Sequence, residues 1–227
     1  LEKIAPLLVQ AKDVLEVGAG GSLWLPYLAC RYPDRNFFGL DYSENGCERL
    51  RGSVAKKGLK IDVINADLFT PPEFLKGKMG LVLSFGVVEH FQHLAGVMAA
   101  LREFIGSDGM IFTIIPNMSG ILGDLTRRLD QSVFDIHVPH DLESFIAGHK
   151  EAGLEIAEAG FLCSSNFGVL SSAVPRSGIK FEIYKWLSRV SKAGWFFEEK
   201  FFPLPTTQYL SPFIYCIAKT GTGDLKK

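Results

Sequence analysis

The chain has 227 residues, of which 47% are hydrophobic and 22% charged, and its 24 basic and 25 acidic side chains leave a formal net charge of −1. This length is enough for one well-packed core, and the composition excludes a disordered chain. Balanced charge gives no general field to hold a polyanion, so no nucleic-acid partner is expected.

Over the first two-thirds, short apolar runs alternate with amphipathic segments, as in a parallel sheet covered by helices on both faces. A first strand at 14–17 runs into Glu16-Val17-Gly18-Ala19-Gly20-Gly21-Ser22, and a helix is predicted over 23–31. A second strand, 37–40, ends at Asp41 and is followed by a helix at 44–57; a third, 61–64, ends in Asn65-Ala66-Asp67-Leu68. The fourth, 81–84, leads into Phe85-Gly86-Val87-Val88-Glu89-His90-Phe91. Next comes a helix at 93–105, whose Leu94, Val97, Met98, Leu101, Phe104 and Ile105 form one stripe, and then a fifth strand at 110–115. Asp141 is placed to cap a helix running to about residue 152, with Gly153 as its stop, before strands at 155–163 and 213–219.

Residues 164–211 break the alternation. A helix is predicted at 179–190, and Trp186, Trp195, Phe196, Phe197, Phe201 and Phe202 crowd that stretch. With no linker or composition shift around it, the stretch reads as an aromatic-rich insertion within a single domain spanning 1–227, and the tail 221–227 as frayed. Cys30, Cys47, Cys163 and Cys216 show no metal or redox spacing and read as reduced, mostly buried thiols, hence a cytoplasmic location. No apolar run approaches the roughly 18 residues of a transmembrane segment. The chain opens on Leu1, which leaves room for upstream residues.

The glycine turn between strand and helix permits close approach of a ligand to the backbone and offers free N–H groups. By itself it serves dinucleotide enzymes equally well, or is only a turn. Asp41 stands about 20 residues further on, where a carboxylate can accept both hydroxyls of a ribose. Asp67 adds a second acid at the next strand end, and two such carboxylates suggest a nucleoside.

Val-Leu-Glu-Val-Gly-Ala-Gly-Gly-Ser, Phe-Gly-Leu-Asp-Tyr-Ser, Asn-Ala-Asp-Leu and Val-Leu-Ser-Phe-Gly-Val-Val-Glu-His-Phe stand here in one order. In that order they resemble the class I S-adenosylmethionine-dependent methyltransferases, in particular the small-molecule branch that includes ubiquinone and menaquinone biosynthesis enzymes. The resemblance covers residues 11–163 and the last strand. It implies a Rossmann-like, doubly wound α/β fold: a mostly parallel seven-stranded sheet with an antiparallel last strand and a helical insertion before it. It implies S-adenosyl-L-methionine as cofactor, with Gly18, Ala19, Gly20 and Ser22 around its methionine part and Glu16 supporting the amino end. Asp41 and Tyr42 would meet the ribose, and Ala66, Asp67 and Leu68 the adenine. Phe85, Gly86 and His90 would line the cofactor, with Glu89 and Phe91 at the cavity entrance.

The sulfonium brings most of the chemistry, so the protein mainly aligns a nucleophile, and a base is optional. His137 resembles the family's histidine ahead of the helix after strand five and is favoured over His140 as a base, with structural hydrogen bonding as its alternative; His90 resembles the family's histidine beside the cofactor, with packing as its alternative. His93 and His149 read as structural or solvated, and no metal site is expected. Residues 118–132 and the insertion are expected to wall an apolar pocket for a small hydrophobic or aromatic acceptor. Arg127 and Arg128 read as exposed helix charges sooner than as partners of an acceptor carboxylate. The insertion also suits a homodimer interface or a membrane-surface patch. A non-catalytic scaffold with this fold, and a dinucleotide oxidoreductase, are the competing readings.

Overall fold

The computed structural model describes residues 2–221; the tail expected to fray lies, but for Gly221, outside the described residues. The elements in chain order are α1 (Ala5–Gln10), β1 (Asp13–Val17), α2 (Trp24–Arg31), β2 (Asn36–Asp41), α3 (Glu44–Lys56), β3 (Ile61–Asn65), β4 (Met79–Phe85), a 3-10 turn (Val88–His90) and α4 (Leu94–Arg102). They continue with β5 (Ile105–Pro116), α5 (Ile121–Leu129), α6 (Gln131–Asp135), α7 (Leu142–Glu151), β6 (Leu154–Leu162), a second 3-10 stretch (Phe167–Ser172), α8 (Ile179–Lys200) and β7 (Phe213–Thr220).

The seven strands form one sheet in the order β3-β2-β1-β4-β5-β7-β6. β7 runs antiparallel to both neighbours, and β3–β2, β2–β1, β1–β4 and β4–β5 pair in parallel. This is the doubly wound α/β arrangement expected from the motifs. Alternation along each strand sorts side chains to the two faces. Leu15, Val17 and Val82 join Leu94, Met98, Leu101 and Phe145 of α4 and α7 in one apolar layer. Val14, Leu81 and Leu83 join Leu8, Leu25, Leu28 and Leu50 of α1, α2 and α3 in the other. Phe104, Phe112 and Phe145 are wholly buried, and truncating any of them to Ala would cost about 3–5 kcal/mol.

Local chemistry sets the element ends. The Ser43 hydroxyl caps α3 by accepting from Gly46 N–H. Asp141 and Ser144 form a capping box at α7, and Gly153 follows that helix at φ +77°, as expected of both ends.

Three sequence expectations need correction. The helix after strand four stops at Arg102, and Ile105 opens β5 opposite Met79, so the last two apolar residues of the stripe belong to the core beyond the helix. The helix predicted at 179–190 runs to Lys200 as α8. The thiols are divided: Cys47 and Cys216 are buried, Cys30 and Cys163 exposed.

Between β5 and α7 the chain forms α5 and α6, and α5 packs under the second 3-10 stretch and α8. Leu122, Leu170 and Val174 form a separate apolar cluster there, joined by Phe181, Tyr184 and Leu187. The return to β7 is laced to the end of β5, because Asn117 Nδ2 donates to the carbonyls of Gln208 (2.7 Å) and Ser211 (2.9 Å) and Ile121 N–H donates to that of Tyr209. No helix among the described residues is long and apolar enough to cross a membrane.

Candidate functional site

In parallel sheets of this topology, ligands bind beyond the carboxyl ends of the strands. Here those ends bring together the Gly18–Ser22 turn, Asp41, residues 66–68 and Phe85–His90. Gly18 takes φ +80°, and a Cβ there would lie 2.3 Å from Val87 Cγ2. At Gly20 a Cβ would meet Asp41 Oδ2 at 2.6 Å and Gly46 Cα at 2.8 Å. The turn is therefore seated against the loop after β4 and the start of α3 with room for hydrogen only.

Strand alternation turns Glu16 toward the α2 face, where it is 3% exposed. Its Oε2 accepts from the Ser22 hydroxyl at 2.8 Å, and Ser22 Oγ in turn accepts from Leu25 N–H at 3.0 Å. Burial pushes the Glu16 carboxyl up to about 7, against the pull of Ser22 and Leu25. A buried carboxylate without a cationic partner among the described residues suits a ligand bearing an ammonium group.

Asp41 closes β2 half-buried. One carboxylate oxygen accepts from Gly20 N–H and the other from Ser43 N–H, both at 2.7 Å. Two backbone donors orient it while leaving lone pairs on each oxygen for hydroxyl groups. Asn65 Nδ2 and Ala66 N–H both donate to the Asp41 carbonyl, which ties the end of β3 to that of β2. Beyond it Ala66 is half-buried, Asp67 is exposed and accepts from Phe69 N–H at 2.9 Å, and Leu68 is buried. Tyr42 is 83% exposed, and its carbonyl accepts from Asn65 Nδ2 at 3.0 Å.

After β4, Phe85 lies between the rings of Trp24 and Phe112, each 6.0 Å away centroid to centroid, and Gly86 takes φ +68°. The 3-10 turn then presents Glu89 and His90. Glu89 is 2% exposed, and burial pushes it up to about 7 against its own backbone N–H and the nearby His90. His90 Nδ1 donates to the Ile136 carbonyl at 2.8 Å, and Val138 N–H donates to the Glu89 carbonyl at 2.7 Å. These bonds bring in His137, whose ring centre is 4.9 Å from that of His90 and whose Nδ1 donates to the Val133 carbonyl at 2.7 Å. Burial and the neighbouring His90 outweigh the Val133 bond and lower the His137 pKa, which keeps it neutral near pH 7.

The other histidines stand apart. His149 is wholly buried on α7: Nδ1 donates to the Phe145 carbonyl, Nε2 meets Thr113 Oγ1 at 2.8 Å, and burial lowers its pKa to about 4. His140 is buried and likewise lowered by burial, and His93 is exposed before α4. Arg127 pairs with Asp124 at 2.8 Å and lies over the Phe134 ring, so it is already engaged on α5. Trp24, Val87 and Gly46 belong to the site's walls without having been given a role from sequence. Val87 lies within the motif after β4, whereas Trp24 and Gly46 lie beside motifs and meet them through the fold. A depression of about 250 Å³ lined by Lys12, Asp13, Gly80 and Asp108 lies at the opposite, amino end of the strands and shares none of these residues.

A model of a methyltransferase domain matches residues 14–109, which include the glycine turn, Asp41, residues 66–68 and Phe85–His90 but not His137. No curated protein sequence matches the chain. Among solved structures, a candidate methyltransferase from Bacillus halodurans superposes with TM-score 0.63 at 14% identity, over 98% of this chain and 100% of its own. A candidate sarcosine dimethylglycine methyltransferase from Galdieria sulphuraria gives 0.65 at 14%, over 97% and 83%. The geranyl diphosphate C-methyltransferase of Streptomyces coelicolor A3(2), solved with magnesium, geranyl diphosphate and S-adenosyl-L-homocysteine, gives 0.65 at 12%, over 96% and 77%. At such identities the structural likeness speaks for the fold. Residues 14–109 thus match a methyltransferase domain, and the whole chain shares the fold of solved methyltransferases.

Proposed function

We propose that this enzyme transfers the methyl group of S-adenosylmethionine to a small, apolar or aromatic acceptor whose reacting atom lies beside His90 and His137. The observation that carries this reading is the histidine pair at the same sheet edge as the glycine turn. Each Nδ1–H is held by a backbone carbonyl, which leaves each Nε2 with its lone pair. Bound S-adenosylmethionine supplies an electrophilic methyl group on a sulfonium, so the chain's own task is placement and proton removal.

In the assignment we favour, Glu16 receives the cofactor's ammonium group, and Gly18, Ala19, Gly20 and Ser22 surround the methionine part. Asp41 takes the ribose hydroxyls, with Tyr42 beside it, and Ala66, Asp67 and Leu68 take the adenine. Phe85, Gly86 and His90 lie along the cofactor toward the acceptor. His137, neutral near pH 7, takes the acceptor proton. Support for an apolar acceptor comes from the segment that carries His137, which is continuous with α6 and, through α5, with the apolar cluster under α8.

Titration of the purified protein with S-adenosylhomocysteine should show one site, and Asp41→Ala should weaken it more than tenfold; unchanged affinity would remove Asp41 from the cofactor site. His137→Gln should lower turnover on a responsive acceptor with little change in cofactor affinity. Full turnover in that variant at saturating acceptor would end its role as the base.

A further inference from the structure

The motifs pointed to no metal, but the fold assembles a ligand set. Glu89, His90 and His137 each offer one donor atom, and the three atoms lie within 4.8 Å of one another. We propose that Glu89, His90 and His137 form a binding site for a divalent transition-metal ion at the acceptor end of the cofactor cleft.

Three features support a built site. Glu89 is 2% exposed, and its Oε2 has no hydrogen-bond partner among the described residues, so a carboxylate oxygen is held out of water with nothing to satisfy it. Both imidazoles donate Nδ1–H to a backbone carbonyl, of Ile136 and Val133. Such outer bonds fix the ring orientation and leave Nε2 as the ligating atom, as in metal-bound histidines generally. The two ligand-bearing segments are also joined by the Val138 N–H to Glu89 carbonyl bond of 2.7 Å, so the site does not depend on side chains meeting by chance.

Ligands at about 2.1 Å from a tetrahedral ion stand about 3.4 Å apart, and the three donor atoms, within 4.8 Å of one another, would close on an ion by small shifts that keep the outer bonds. Two imidazoles and one carboxylate suit zinc, cobalt or manganese, whereas magnesium prefers oxygen ligands throughout. His90 is exposed and His137 half-buried, which leaves the outer coordination positions open to solvent or acceptor.

The open positions define the acceptor class as one with an ionisable oxygen, such as a phenol or enol. Bound to the ion, the oxygen loses its proton to water more readily. The oxygen lone pair then forms the O–CH3 bond, the S–CH3 bond breaks, and its electron pair stays on sulfur to give neutral S-adenosylhomocysteine. With the ion bound, His137 would be a ligand and not the base, and the acceptor's proton would go to water; His137 would act as the base in the metal-free protein. The site rests on its own geometry and exists whichever donor occupies the glycine turn.

The test uses the whole chain freed of metal with a chelator and titrated with Co²⁺, read by its visible d–d absorption, and with Zn²⁺ by equilibrium dialysis. One ion per chain is expected. His137→Ala, His90→Ala and the isosteric Glu89→Gln should each weaken binding at least tenfold and change the Co²⁺ spectrum, while His93→Ala should match the wild type. S-adenosylhomocysteine binding by each variant establishes that it is folded and reports separately on the cofactor reading. No stoichiometric Co²⁺ or Zn²⁺ binding by the wild type, or equal affinity in His137→Ala and Glu89→Gln variants that still bind S-adenosylhomocysteine, would overturn the metal site and leave methyl transfer standing.

Discussion

Replacing Glu16 by Gln should make the protein more stable in mildly alkaline solution and a poorer binder of its cofactor. The carboxyl is 3% exposed, and burial raises it from 4.5 to about 7. A group with a raised folded pKa contributes stability that is fully present below its unfolded value and lost as pH rises through its folded value. For Glu16 that window runs from 4.5 to about 7, at about 1.4 kcal/mol per pH unit, so ionisation costs the folded state about 3 kcal/mol by pH 8. Gln keeps the shape and can accept the Ser22 hydroxyl but does not titrate. The difference in unfolding free energy between variant and wild type, from urea titrations at pH 5 and pH 8, should therefore grow in the variant's favour by about 2–3 kcal/mol. Binding should move the other way. A charge-assisted bond to the cofactor's ammonium contributes about 1.5–3 kcal/mol, so S-adenosylhomocysteine affinity should fall roughly tenfold to a hundredfold. Wild-type affinity should also weaken as pH falls below about 7, where Glu16 is protonated, and the variant's should not. Parallel stability profiles, or equal affinities at pH 8, would show that Glu16 is neither the titrating group nor the cofactor's partner.

Gly20→Ala would place a Cβ 2.6 Å from Asp41 Oδ2 and 2.8 Å from Gly46 Cα, so backbone must move. A loss of about 1–3 kcal/mol and at least a tenfold drop in S-adenosylhomocysteine affinity are expected, read by urea unfolding and calorimetry; wild-type values for both would refute the seating of the turn. His149 has the opposite pH sign to Glu16. Its pKa is lowered from 6.5 to about 4, so its contribution is full above 6.5 and is lost as pH falls toward 4, by about 3 kcal/mol. His149→Leu should remove that part of the acid slope while leaving cofactor affinity unchanged, and an unaltered slope would place the titration elsewhere.

The sheet was legible because strand ends carry two signals at once, apolar runs and the glycine or acid that stops them. The end of α4 was not, because Phe104 and Ile105 continue the helical spacing of Leu94, Val97, Met98 and Leu101. An apolar residue is buried equally well by the last turn of a helix or by the first residues of the next strand, so periodicity cannot separate the two. The later half of α8 was hidden for a different reason. Gly194 and the aromatic run Trp195, Phe196 and Phe197 resemble a loop by local propensity, yet they continue the helix. Ser191, the residue of α8 that is buried, holds it by accepting from Phe167 N–H.

The site was legible in the order of its motifs and hidden where it depends on distance across the chain. His90 and His137 are separated by 46 residues, and their meeting rests on backbone bonds from Ile136 and Val138 that no spacing announces. The burial that sets Glu16 and Glu89 apart from the exposed acids cannot be read from their neighbours in sequence either. The glycine turn itself has two meanings. Gly18 is required by Val87, at 2.3 Å from its missing Cβ, and Gly20 by Asp41 and Gly46, so both glycines are dictated by packing before any ligand arrives. A turn of this kind identifies a place where strands, loop and helix close on one another, and many nucleotide folds need such a place. What would narrow the chemistry is the buried acid beneath it: Glu16 has Ser22 as a partner but no cation among the described residues, and in the proposed assignment it is met by the ammonium of a methionine-derived cofactor, which a dinucleotide's pyrophosphate does not offer.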